Sequence, residues 1–249
     1  SVGPAGSGAA TEIAQVSEAD YDLIKDIAQS VYGFDVGELS GSLPEEDEKI
    51  LAKIDWNITD DHRASLSYQR TEGSAIVDPI TDVARRRIAT PSNWYNRSVK
   101  LDSWSLQLFS DWTSNFSTEL KLGRKEVETG QVGLGDNDFA EMQIRTVGPN
   151  ASGTGTVYIG PDEFRHANAL SNDLDQVKLK GTYLLGDHTI SGGVEYETLD
   201  IFNIFLPRSQ GQYVFNSVAD FQNRVATSLR YNNALSNNPV DGGAAFGYD

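Results

Sequence analysis

Apolar and polar residues alternate with a period of two along three paired segments of the chain. Between Lys49 and Glu72 the apolar residues fall at Ile50, Ala52, Ile54, Trp56 and Ile58, with polar ones at Lys53, Asp55 and Asn57. After Thr59-Asp60-Asp61-His62 the pattern resumes with Ala64, Leu66 and Tyr68. A period of two gives one apolar and one polar face, so this stretch is predicted to form an antiparallel hairpin. Opposing Ile58 to Ala64 sets Trp56 against Leu66 and Ile54 against Tyr68, and sets Asn57, Asp55 and Lys53 against Ser65, Ser67 and Gln69. Both faces agree in that register.

Two sister hairpins follow. In one, Trp104, Leu106, Leu108 and Trp112 alternate with Ser105, Gln107 and Asp111, and after Thr113-Ser114-Asn115 come Phe116, Leu120 and Leu122 against Ser117, Glu119 and Lys121. Pairing Trp112 with Phe116 aligns Leu108 with Leu120 and Gln107 with Lys121, leaving Phe109 as a large apolar residue on the polar face. In the other, Val177, Leu179, Gly181, Tyr183 and Leu185 lead through Gly186-Asp187 into His188, Ile190, Gly192, Val194 and Tyr196. A two-residue loop pairs Leu185 with His188, Leu179 with Val194 and Lys178 with Glu195, and the last strand runs on toward Phe205.

The connections alternate short and long. Residues 1–47 open with a Gly-, Ala- and Ser-rich dozen read as flexible loop. A helix over 17–32 follows, with Ser17 at its start, Leu23, Ile24, Ile27, Ala28 and Val31 as its stripe and Gly33 as its C-terminal cap. Packing of this helix on the nearest surface is the plain expectation, since its polar face is acidic, unlike that of a basic membrane-surface helix. Segments 73–97 and 128–172 read as long loops, the second with a short strand near Thr156 to Ile159. In 206–249 a β stretch at Gln212 to Phe215, a capped helical turn from Ser217 and an Asn-rich tail are expected, with no further matching strand.

Tight turns at one end, long loops at the other and apolar outer faces with aromatics near their limits predict an all-β fold. Its form is an antiparallel up-and-down transmembrane β-barrel segment of about six long strands, with long extracellular loops and one short loop helix. A soluble sandwich or lipocalin-like barrel also alternates; the Ser, Thr, Gln and Gly of the polar faces and the loop lengths favour the membrane barrel. Lys53, Asp55, Gln107, Glu119, Lys121, Lys178, Lys180, Glu195 and Glu197 are then expected to line the lumen. Trp56, Tyr68, Trp112, Phe116, Tyr183 and Tyr196 are expected in the lipid-facing girdles. Six strands are too few to close a membrane barrel and open edges are not tolerated in lipid. The sequence is therefore expected to be a fragment or one part of an assembly, with self-closure through weak loop strands as the alternative.

Composition narrows the function. Lys+Arg 20 against Asp+Glu 36 gives a formal charge of -16, which disfavours a nucleic-acid partner, because binding a phosphate backbone needs clustered cations. There is no cysteine, and the three histidines, His62, His166 and His188, supply poorly any multi-histidine metal site. No catalytic, cofactor or metal site is assigned, and enzymatic activity is not expected. Glu195 and Glu197 on one strand face suggest a glycosidase pair only superficially, since Lys178 and Lys180 face them and predict a salt-bridge ladder. Asp136-Asn137-Asp138 lacks the Gly and distal Glu of a calcium loop. His62 and His188 lack triad partners, and Arg85 to Arg87 read as a charged loop tip, with an anionic ligand or lipid phosphate as the alternative.

Specific wording adds to the pattern. The segments KIDWNITDDHRASLSYQRTEG, LQLFSDWTSNFSTELKLGRKEVETGQ, HTISGGVEYETLDIFNIFL, GQYVFNSVADFQ and AAFGYD resemble the barrel of TonB-dependent outer-membrane receptors, especially their Oar-like branch. The resemblance runs from about Tyr32 to the end, through motifs that mark strands and surface loops and specify no ligand. It implies a larger protein, with a lumen-filling plug, a TonB-contacting box and a barrel of about 22 strands. The implied partners are the TonB energy-coupling complex through the plug, the remaining barrel strands, lipopolysaccharide and outer-membrane lipid, and an unidentified solute or peptide. The implied location is the outer membrane of a Gram-negative bacterium, with the tight turns periplasmic. No family functional residue maps onto this sequence. A non-transporting surface binding or adhesion module on a β scaffold is the alternative.

Overall fold

In the computed structural model, residues 2–39, 42–147, 153–234 and 245–248 are described, without the side chains of 233, 234 and 245–248. In chain order the elements are β1 (Val2–Ala5), β2 (Thr11–Ser17), α1 (Glu18–Tyr32), β3 (Glu45–Asn57), β4 (His62–Val77) and β5 (Arg87–Ala89). Then come a 3-10 turn (Pro91–Asn93), β6 (Tyr95–Thr113), β7 (Phe116–Gly133), β8 (Glu141–Val147), β9 (Thr154–Ile159), β10 (Asn168–Leu185) and β11 (His188–Phe205). The chain continues through β12 (Gln212–Phe215), α2 (Val218–Gln222), β13 (Ser228–Ala234) and β14 (Ala245–Tyr248).

Six long strands form one antiparallel sheet in the order β11-β10-β7-β6-β4-β3, an up-and-down meander in which every neighbour is the next long strand along the chain. The fold is thus all-β with two short helices. The strands run 13 to 19 residues, longer than the about 9 to 11 that span a bilayer. The sheet is open: β3 and β11 each have one unpaired edge among the described residues, so self-closure through hidden loop strands does not occur there.

The registers test the sequence reading hairpin by hairpin. In the third, Leu185 pairs with His188, Leu179 with Val194 and Lys178 with Glu195, as expected, around Gly186 at φ 57°. In the second, Leu108 meets Leu120 and Gln107 meets Lys121, but the register shifts next to Trp112, so that Thr113 and not Trp112 opposes Phe116. The extra residue shortens the turn to Ser114-Asn115, and this bulge corrects the expected Trp112–Phe116 pair. In the first, Trp56 pairs with Ala64, Ile54 with Leu66 and Lys53 with Ser67, two residues from the expected register. The Ile58 and Thr59 amides both donate to the His62 carbonyl, at 2.9 and 3.1 Å, and this tighter turn sets the pairing. A slip of two leaves each side chain on its face, so the face assignment survives the error.

The segments read as loops are largely folded, which corrects that expectation. β12, β8, β9 and β5 assemble into a mixed sheet, with β12 parallel to β8 and β5 parallel to β9. The opening dozen residues hold β1 and β2, paired in parallel, and the tail adds β13 and β14; residues 235–244 lie outside the described residues. β2 is held by Thr146, whose hydroxyl donates to the Gln15 carbonyl at 2.7 Å, and by burial of Ile13 and Val16. Such long-range pairings leave no local periodicity to read.

These elements and α1 enclose the main hydrophobic core: Ile13, Val16, Ile24, Ile27, Ile88, Ile144, Val157, Ile159, Phe215 and Phe221 are all at most 3% exposed. The helix begins where the Ser17 hydroxyl accepts from the Asp20 amide at 3.1 Å and ends at Gly33 in the left-handed conformation. Tyr32 stacks on Phe221 at 4.7 Å and donates to the Phe221 carbonyl at 2.6 Å, joining α1 to α2. The long-strand sheet contributes nothing to this core. Its apolar face is bare, with Trp56 62% and Val194 71% exposed.

Candidate functional site

The ladder pairings resolve the long-strand sheet into transverse rows. On one face the rows are Trp56–Ala64–Leu108–Leu120–Leu179–Val194, then Ile54–Leu66–Leu106–Leu122–Val177–Tyr196, then Ala52–Tyr68–Trp104–Arg124–Asp175–Thr198. Near the tight turns Phe116, Tyr183 and Ile190 form another apolar row of this face. Trp112 joins it despite the bulge, since its indole donates to the Thr118 hydroxyl at 2.8 Å and meets the His62 ring edge-on at 5.1 Å. The six girdle candidates, Trp56, Tyr68, Trp112, Phe116, Tyr183 and Tyr196, therefore share one face.

One row beyond Tyr68 and Trp104 the same face becomes charged. Ile50, Arg70, Asp102, Glu126, Asp173 and Asp200 form that row, and Glu48, Glu72, Lys100 and Glu128 lead the next, which ends at Phe202. Tyr68 marks the border by donating its hydroxyl to Asp102 at 2.7 Å. Arg124 binds Glu126 at 2.7 Å, Asp175 at 3.1 Å and Asp173 at 3.5 Å. The upper ends of β3, β4, β6 and β7 frame a depression of about 670 Å³ lined by Glu46, Asp47, Glu48, Glu72 and Glu128, with Lys100.

The opposite face differs. Its rows near the turns are polar: Asp55–Ser65–Gln107–Lys121–Lys178–Glu195 and Lys53–Ser67–Ser105–Gly123–Gln176–Glu197, with Glu119 opposite Lys180 just below. All nine predicted lumen residues lie here. Lys53 pairs with Asp55 at 3.0 Å and Lys178 with Glu195 at 3.3 Å. Of the expected ladder only the Lys178–Glu195 rung forms, because Lys180 opposes Gly193 and Glu197 opposes Gln176. Gln176 instead donates to both Glu195 and Glu197, at 2.7 and 2.5 Å. Higher up, this face becomes mixed: Leu51, Leu174 and Leu199 share a row with Gln69, Ser103 and Lys125, Leu101, Val127 and Ile201 share one with Lys49, Thr71 and Asn172, and Val99 and Leu170 share one with Asp47 and Asn203. Phe205 stacks against Phe164 of the β9–β10 connection at 6.3 Å. The first face thus passes from apolar to charged at a height where the second passes from polar to mixed. Sequence reading missed this border, although the phase slip from Val99 and Leu101 to Trp104 and Leu106 records it.

The elements around the main core, β1, β2, α1, β5, β8, β9, β12 and α2, form a cap that holds a second polar constellation. Glu141 is 1% exposed and accepts from Gln143 at 2.9 Å, Gln212 at 2.8 Å, the Glu163 amide at 2.9 Å and Asn93 at 3.4 Å. One carboxylate therefore ties β8, β12, the 3-10 turn and the β9–β10 connection together. Burial pushes its pKa up to about 7; the Gln143 hydrogen bond opposes the rise and Asp162 adds to it. Burial also raises Asp162 against its partner Arg165, 2.8 Å away, and lowers His166, which lies 3.1 Å from the Pro161 carbonyl. These groups bind the cap's own segments and serve as its polar framework.

The remaining candidates have structural occupations. Arg85 approaches Asp82 at 3.7 Å and Arg87 covers the Tyr158 ring at 5.8 Å. The Asp136 carboxylate caps the Asp138 amide at 3.0 Å within its own turn. Among the described residues no group of three or more His, Asp or Glu forms a metal cluster.

No family model matches the chain, and no curated protein matches it. Among solved structures it is similar to the outer membrane transporter YddB of Escherichia coli, at 10% identity and a TM-score of 0.48. The match covers 76% of this chain and 23% of that transporter, so the chain spans less than a quarter of the transporter's length.

Proposed function

We propose that the six-strand sheet is part of the wall of an outer-membrane β-barrel transporter, with the tight turns periplasmic and the cap outside the cell. The change from an apolar band to charge at the Tyr68–Trp104 row, on the face opposite the polar rows, carries this reading. A sheet face that packs on a soluble core stays apolar along its length, whereas a lipid-facing one is an apolar band edged by aromatics and then by charge. From Phe116 to Arg124 the band rises about 27 Å along β7 at about 3.4 Å per residue. At a barrel tilt of about 40° that is about 20 Å along the bilayer normal, close to the band of about 25 Å seen in such barrels.

Because open edges are excluded from lipid, further strands pair with β3 and β11 to close the wall. The wording of the hairpins supports a finer assignment to the TonB-dependent receptors, in their Oar-like branch. In that assignment a plug fills the lumen, TonB supplies the energy, and a solute or peptide is moved without chemical change. The chain's role is then wall and mouth, with Lys53, Asp55, Lys178 and Glu195 facing the lumen and lipopolysaccharide around the charged belt. The cap's independent core favours a second reading, a surface binding module on a membrane-anchored scaffold.

Membrane fractionation of the native protein tests the proposal. Recovery with the outer membrane, and release only by detergent, is expected. A soluble, folded, monomeric full chain from cytoplasm overturns it.

A further inference from the structure

On the polar face Lys49 pairs with Asp47, Lys53 with Asp55 and Lys178 with Glu195. Lys121 and Lys125 differ: among the described residues neither has a carboxylate within ion-pair distance or as a ladder neighbour, whereas Lys180, also without an ion pair, opposes Glu119. Their ladder neighbours are Gln107 and Lys178 for Lys121, and Ser103 and Leu174 for Lys125. The two stand two rows apart, about 14 Å along β7, and each lacks an anionic partner of its own.

The two lysines flank Gly123 at the floor of a depression of about 300 Å³. A Cβ built on Gly123 would meet nothing closer than 3.9 Å, so packing does not require a glycine there; its effect is to leave the floor open. Hydroxyls of Ser67, Ser103 and Ser105 and the Gln69 amide line the sides, offering hydrogen-bond donors to an oxyanion. Ser67 and Ser105 already share a hydrogen bond of 2.8 Å, which positions both. The upper row joins the two characters: Leu174 stands directly beside Lys125 and is followed by Leu199, while Leu51, 75% exposed, lies at the far end of the row beyond Ser103 and Gln69. Exposed aliphatic side chains beside a cationic, donor-lined hollow define a site with one charged and one oily end.

We propose that this hollow binds a small amphipathic organic anion, its carboxylate, sulfate or phosphate at Gly123 between Lys121 and Lys125 and its hydrocarbon or aromatic end on Leu174. The inference rests on the polar face being the lumen wall, which gives a solute access to it. The acidic depression on the upper strands repels the same anion, so the hollow is the place where charge and oiliness meet with the right signs.

The test uses the full chain purified from membranes into nanodiscs, with empty nanodiscs subtracted, and measures octanoate, octanol and acetate binding by equilibrium dialysis. Octanoate is expected to bind at least tenfold more tightly than octanol or acetate. Lys121→Gln with Lys125→Gln, and separately Gly123→Leu, which fills the floor, are each expected to weaken octanoate at least tenfold. Equal octanoate binding by the double variant, or none above empty nanodiscs, overturns the site. Acetate binding as tightly as octanoate overturns the amphipathic class. Leu120→Cys and Lys121→Cys, probed with a membrane-impermeant maleimide, separate this failure from that of the lumen assignment. Labelling of Lys121→Cys alone leaves the barrel standing whatever octanoate does, whereas equal labelling of both removes the lumen itself.

Discussion

Trp104 stands directly opposite Arg124 across the β6–β7 ladder, and the apolar face of the sheet ends at that pair. Below it lie Leu106 and Leu122; above it lie Asp102 and Glu126. The step is one row, about 7 Å along the strands. It defines where lipid ends in the proposed barrel.

A charge placed below that border is therefore expected to cost far more than one above it. Leu120→Arg, midway along the band, should destabilise the folded barrel by about 2–4 kcal/mol, as cations near a bilayer midplane do, and Glu126→Arg by about 0–1 kcal/mol. Urea unfolding in lipid vesicles, followed by tryptophan fluorescence, measures both. Similar costs at the two positions contradict the border.

The Lys178–Glu195 pair lies across neighbouring strands with both side chains nearly half exposed. A double-mutant cycle with Lys178→Ala and Glu195→Ala should give a coupling of about 0.2–1 kcal/mol. A coupling of several kcal/mol would mean that the pair is sealed from water and the lumen is dry there.

The cap carries its own core, so damage to it should stay local. Ile24→Ala, at a fully buried position of α1, is expected to lower the cap's opening free energy by about 2–5 kcal/mol. Hydrogen exchange should show this at β8, β9 and β12 while the amides of β7 and β10 keep their protection. Loss of protection throughout both units would show that they unfold together.

Glu141 makes the cap sensitive to pH. Its pKa is raised by burial to about 7 in the fold, against an ordinary value of 4.5. The stability it contributes is thus fully present below about pH 4.5 and is lost as the pH rises through 7. Exchange at β8 and β12, corrected for intrinsic rates, should report a change of about 1–3 kcal/mol across that window. Glu141→Gln should flatten the dependence, the Gln212 amide turning to accommodate the new donor. His166, lowered by burial, acts in the opposite sense, favouring the fold at higher pH. Unaltered pH dependence in Glu141→Gln would assign it to other groups.

The face of each long strand was readable because period two survives errors of register. The Gly186-Asp187 turn allows one solution, and there the register was readable too. The Thr59–His62 turn admits two registers that agree equally well with both faces, and the bulge at Trp112 has no glycine to announce it. The capped helices at Ser17 and Ser217 were plain from short-range signals. The cap's assembly was not, because β5 finds β9 and β12 finds β8 far along the chain, both in parallel. Lys125 and Gly123 escaped notice for another reason: what sets them apart is the carboxylate their neighbours lack, and only the ladder reveals neighbours.

Alternating accessibility along β7 tests the central claim most directly. The chain contains no cysteine, so single cysteines at positions 118 to 128 can each carry a nitroxide in the membrane-embedded protein. The account predicts that spin labels at 120 and 122 collide with lipid-dissolved oxygen. Labels at 119, 121 and 123 should collide with a water-soluble nickel chelate, and labels at 126 and 128 should lose the oxygen signal. Equal access of the chelate to 120, 121, 122 and 123 would contradict a lipid-facing wall and leave the sheet a soluble one.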